Sequence, residues 1–195
     1  MLTFNDERHE YRLEGVRLPS VTQIMKPLMD FSGIPPNVLE RKRQIGTAFH
    51  KAVELHLNDD LVLESLAVSV VPYFEGFIRF MNDTGFQPRK WEYRVASSIY
   101  GYAGQLDIDG YLRKRLAVID FKTTHEISPS VAIQTAAYRQ AANETNASEE
   151  TIVDRYALQL RPDGTYRLEQ HKGTMDFEIF KSLLNIHKWK AANNV

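Results

Sequence analysis

The chain has 195 residues, 43% of them hydrophobic and 25% charged, with a formal net charge of −1 and no cysteine. That length supports one core-bearing domain spanning 1–195 rather than two. The composition excludes disulfides, thiolate metal sites, iron–sulfur clusters and cysteine nucleophiles, and the near-neutral charge excludes coating of nucleic acid through bulk charge. No apolar run approaches the roughly 20 residues of a membrane span. The start shows no basic stretch ahead of an apolar one, so no secretory leader is read there. The expectation is a cytoplasmic protein with no membrane partner.

The chain opens with a hairpin pattern, Glu10–Leu13 and Val16–Leu18 around Glu14-Gly15. Ser20 is placed to cap a short helix from Val21. After Pro35-Pro36 a longer helix is expected over 38–57, and another over 63–83, jogged at Pro72 and closed by Gly85. Strands follow at 91–100, 104–112 and 116–122. In the first, Trp91, Tyr93 and Val95 alternate against Glu92 and Arg94. The spacing then predicts an alanine-rich helix over 130–143, a hairpin of 152–160 and 165–170 around Pro162-Asp163-Gly164, and a last helix over 176–192. This order implies an α/β fold with a mixed central sheet flanked by helices.

Four segments carry candidate chemistry. Asp120 and Lys122 are two apart on an apolar strand, so both side chains leave one face. Burying an acid and an amine together is costly without a reason, although a strand-end ion pair is the plain alternative. Asp107, in Gly104-Gln105-Leu106-Asp107, lies on the preceding strand and could stand beside Asp120. Two adjacent carboxylates repel unless a cation holds them, and oxygen ligands favour Mg²⁺ or Mn²⁺. Asp109 reads as a hairpin residue. His50 follows Gly46 and Ala48, which would permit close backbone approach, and could ligate a metal or be structural. Glu54, one turn on, is either its hydrogen-bonding partner or a solvated charge. Gln134 and Tyr138 share a helical face that could touch substrate or simply pack.

Taken in order, Gly46…His50, Gly104…Asp107, Asp120-Phe121-Lys122 and Gln134…Tyr138 resemble the motifs of RecB-like nucleases of the PD-(D/E)XK superfamily. Leu18–Ile24 is similar to the opening of small phage-encoded members. Leu106 stands where the superfamily's name has proline. The resemblance implies a restriction-endonuclease-like core and a Mg²⁺- or Mn²⁺-dependent deoxyribonuclease. An exonuclease processing DNA ends in recombination, repair or phage replication is the expected form, in a bacterial or phage-infected cell, with a recombinase or single-strand-binding protein as a possible partner. Asp107, Asp120, His50 and the Phe121 backbone carbonyl would hold the metal. Lys122 would orient the attacking water and steady the transition state, and Gln134 and Tyr138 would position the strand or brace the site. Glu92 could support them, though a strand-surface charge is the plainer reading.

Arg41, Lys42 and Arg43, and Arg113, Lys114 and Arg115, could hold phosphates or form solvated basic faces. The alternatives within the fold are a structure-specific or restriction-like endonuclease and a non-catalytic DNA-end-binding module. A carboxylate-pair glycosidase gives no reason for Lys122 beside Asp120.

Overall fold

The computed structural model describes residues 1–30, 32–147 and 149–195. The fold is mixed α/β. A five-stranded sheet is built from β4 (Gln87–Ser97), β5 (Tyr102–Leu112), β6 (Arg115–Lys122), β7 (Asp154–Leu160) and β8 (Tyr166–Gln170), in that spatial order. All neighbours are antiparallel except β6 and β7. That parallel pair needs a crossover, and α4 (Ser130–Thr145) supplies it. A small antiparallel sheet of β1 (Leu2–Asn5), β2 (Glu10–Leu13) and β3 (Val16–Leu18) precedes the main one. Among the described residues no helix is long and apolar enough to cross a membrane.

Helices cover both faces of the large sheet. On one face, α1 (Val21–Met25), α4 and α5 (Asp176–Asn193) pack Ile24, Ala137, Ala141 and Phe180 against Val95, Leu106, Leu116 and Val118. On the other, α2 (Pro36–Leu57) and α3 (Val71–Thr84) pack Phe49, Phe77 and Phe80 against Ile108, Ala117, Ile119 and Phe121. The alternation along β6, with 116 and 118 to one side and 117, 119 and 121 to the other, is that of a strand buried on both faces.

The expected boundaries need three corrections. Strand β1 was not anticipated; it is short, and its pairing with β2 supplies what its own pattern does not. Pro72 opens α3 instead of jogging a longer helix, since proline is favoured in a first helical turn, where its missing N–H costs nothing. Strand β4 runs Gln87–Ser97 rather than 91–100. The Ser20 cap is present as a capping box with Gln23.

Candidate active site

Regular alternation fails on β4 and β5 beside the candidate site. On β4, Trp91 packs toward the α2–α3 face but Tyr93 toward the α4 face; on β5, Leu106 and Ile108 are divided in the same way. Residues two apart on a regular strand share a face, so both strands turn over between these pairs. Glu92 and Asp107 occupy the turnover, opposite each other between the pairs Trp91↔Ile108 and Tyr93↔Leu106. Glu92 adopts a φ of 47°, a region that costs a non-glycine residue and that persists where its surroundings enforce it.

Beside this turnover, β5 leaves β6. Their pairing ends at Ile108↔Ile119. The Phe121 N–H, left without a strand partner on that side, donates to Asp107 Oδ2 at 2.6 Å. The carboxylate thus takes the place of a ladder carbonyl. In a strand the N–H and C=O of one residue point to the same neighbour, so the Phe121 carbonyl is directed at the same gap. The Phe121 ring stays in the core against Phe49 and Phe77.

His50 reaches this gap from α2. Its Nδ1 lies 2.7 Å from Glu92 Oε1 and 3.7 Å from Asp107 Oδ1. Gln105 Nε2 donates to the other Glu92 oxygen at 2.7 Å, fixing the carboxylate from both ends. One ligand atom from each of His50, Glu92 and Asp107 lies within 4.8 Å of the others, a grouping that could hold a metal ion. Glu54 lines the same cleft but is not His50's partner: it pairs with Lys51 at 2.8 Å. Nor is Gly46 sterically required, since a Cβ there would meet Thr123 Oγ1 at an ordinary 3.6 Å.

Asp120 and Lys122 come from the α4 face of β6. Asp120 is 2% exposed, with Lys122 Nζ 2.5 Å from its Oδ2. That oxygen has no hydrogen bond of good geometry, so the contact is a charge pairing. Asp120 is not among the three mutually close ligand atoms. Lys122 Nζ also donates to Gln134 Oε1 at 3.3 Å, and Gln134 Nε2 donates to Tyr138 Oη at 3.2 Å. Gln134 and Tyr138 therefore brace the lysine from α4. A Cβ at Gly104 would fall 2.7 Å from the Tyr138 ring, which explains a glycine three residues before Asp107.

The electrostatics follow from three carboxylates in a poorly solvated gap. Burial raises the Asp107 carboxyl to about 7, with Asp120 and Glu92 adding to the rise and His50 and Lys122 opposing it. Burial would depress His50, but Asp107, Glu92 and Asp120 outweigh it and lift the imidazole to about 9. Burial likewise disfavours the Lys122 ammonium, and Asp120 and Asp107 outweigh that too, leaving its pKa raised. Metal-free, the site therefore carries a protonated histidine and lysine among carboxylates that a divalent cation could compensate. The oxygen-rich donor set, with one imidazole, suits a hard cation.

An open cleft of about 610 Å³ leads to the site, with His50, Glu92, Gln105, Thr47 and Arg94 on its wall. The two anticipated basic clusters fall differently. Arg43 lies seven residues before His50 on α2, nearly two turns away and on the same stripe; Arg41 and Lys42 point to other sides of the helix. Arg113, Lys114 and Arg115 form the β5–β6 turn, six strand residues from Asp107 or about 20 Å. Arg115 is engaged with Asp154 there, so this cluster does not face the site. Asp109 is a structural residue, fully buried and bound by Arg89 and Tyr93. Glu92 is the residue that reading β4 as a regular strand undervalued.

The fold and the site together define an α/β protein with a carboxylate–histidine–lysine cluster at the opened edge between two central strands. No family model matches the chain, and no curated protein is significantly similar to it. A solved structure from Eubacterium rectale named "Putative exonuclease" aligns with a TM-score of 0.46 and 12% identity, over 76% of this chain. The chain spans 65% of the length of that one.

Proposed function

We propose that the protein is a divalent-metal-dependent deoxyribonuclease of the RecB-like, PD-(D/E)XK kind, acting as an exonuclease on DNA ends. The observation that carries this reading is the convergence of His50, Glu92, Asp107, Asp120 and Lys122 on one gap, from a helix and three strands. A hydrolytic phosphoryl transfer needs a placed water, neutralised phosphate charge and a stabilised leaving oxygen. His50, Asp107 and Glu92, with Asp120 and the Phe121 carbonyl, would hold Mg²⁺ or Mn²⁺. The ion would supply Lewis acidity and lower the pKa of a bound water. Lys122, braced by Gln134, would orient the attacking water and meet the charge that builds on the phosphoryl oxygens. Its pairing with Asp120 favours the charged ammonium. A glycosidase mechanism leaves that lysine without a task, because it would neutralise one of the two carboxylates it needs.

The test uses purified protein with end-labelled linear DNA and with circular DNA, in Mg²⁺, Mn²⁺ or EDTA. Metal-dependent loss of label from linear DNA, with circles intact, is the expected result. Nicking of circles would make it an endonuclease. Binding without cleavage in either metal would make it a DNA-end-binding module and overturn the enzymatic reading.

A further inference from the structure

Among the described residues, Arg94 is the only arginine on the wall of the cleft, and no hydrogen bond among them engages its guanidinium. Its guanidinium carbon lies 4.6 Å over the Phe4 ring. The nearest carboxylate oxygen, on Asp6, is 3.8 Å away, beyond hydrogen-bond reach. An aromatic face orients a guanidinium while leaving its N–H edge free. Lys51, also on the cleft, is already tied to Glu54, and the Arg113–Arg115 turn is at the far end of the sheet.

The position of Arg94 is tied to the candidate site through backbone and side chain. It pairs across β4 and β5 with Gln105, the residue that donates to Glu92, which in turn contacts His50. Arg94 follows Glu92 by two residues on β4, and both line the same cleft. Phe4 and Asp6 belong to β1 and the turn that follows it, so the small N-terminal sheet borders the cleft.

We propose that Arg94, held flat on Phe4, is a positioning residue for a phosphate neighbouring the scissile one, and that the β1–β2 end of the small sheet forms one wall of the channel for the nucleic-acid strand. This rests on the nuclease reading. A bidentate guanidinium suits a phosphodiester, and one such contact governs register on the strand without reading its bases.

The experiment compares wild type with Arg94→Gln, Arg94→Lys and Phe4→Leu. Binding of a fluorescein-labelled linear DNA is followed by anisotropy in Ca²⁺ between 50 and 300 mM salt, cleavage is followed in Mg²⁺, and thermal melts check folding. Arg94→Gln is expected to raise KM and Kd about tenfold, equivalent to about 1.4 kcal/mol, with kcat within about twofold. Its slope of log affinity against log salt should fall by about 0.7 to 0.9, one phosphate contact. Arg94→Lys should keep the slope but recover only part of the affinity, and Phe4→Leu should fall between, because the charge remains but is no longer oriented. A folded Arg94→Gln with wild-type KM and slope overturns the proposal, as does a loss confined to kcat. The nuclease reading fails separately: it falls if the wild type itself does not cut.

Discussion

Asp107→Asn separates the electrostatic load of the site from its geometry. The amide keeps an oxygen for the Phe121 N–H but cannot ionise. In the metal-free protein Asp107 is raised from 3.8 to about 7. The folded state therefore holds this proton more tightly than the unfolded chain, and the associated stability is fully present below about pH 4 and is lost as pH rises through about 7. At pH 8 the gap corresponds to about 4 kcal/mol at 1.36 kcal/mol per pKa. Removing the carboxylate also removes a main source of the His50 elevation, whose stabilisation is present below 6.5 and lost as pH rises through about 9. The His50 attraction is already contained in the Asp107 value, so the net effect of the variant at pH 8 is a rise in Tm, a few degrees for each kcal/mol in a chain of this size. Melting in EDTA at pH 5 and pH 8 is the assay, with Mg²⁺ added in parallel. We expect the variant to melt above wild type at pH 8, by more than it does at pH 5. Mg²⁺ should raise the Tm of wild type but not of the variant, and the variant should have no cleavage activity. A variant that melts at or below wild type in EDTA at pH 8, or that gains equally from Mg²⁺, would refute the argument that Asp107 carries the strained charge of a cation site.

Lys122→Ala should lose most cleavage yet keep the Mg²⁺-induced rise in Tm, because an ammonium ligates no cation; Lys122→Arg should rescue poorly, since its fork is larger and its pKa too high for proton transfer. Arg89→Ala should destabilise by about 3 to 5 kcal/mol in a denaturant melt, because it strands the fully buried Asp109 carboxylate. Gly104→Ala should cost about 1 to 3 kcal/mol by driving a methyl into the Tyr138 ring, and should lower kcat through the Tyr138–Gln134–Lys122 chain; unchanged kcat would mean that chain does not hold the lysine.

Much of this protein is legible without coordinates. Two-sided apolar runs such as Ala117–Ile119 declare a covered central strand. Ser20 and Gln23 mark a helix start through their own side-chain chemistry, and the spacing from Asp120 to Gln134 leaves room only for a short loop before α4. These features are local, determined by periodicity and by groups a few residues apart, so the α/β class follows from the chain alone, whereas the candidates His50, Asp107, Asp120, Lys122, Gln134 and Tyr138 rest on the order of four motifs that resembles the RecB-like nucleases. What only the tertiary structure decided is long-range. Glu92 looks like the polar half of an alternating strand, and nothing nearby in sequence says that β4 and β5 turn over at that point. His50, 42 residues earlier, pairs with it, while Glu54, one helical turn further along α2, pairs with Lys51 instead. In the same way, Arg113–Arg115 are a few residues from Asp107 in sequence, but the extended backbone of β5 carries their charge away. A strand converts nearness in sequence into distance in space, and packing of a helix on a sheet does the reverse.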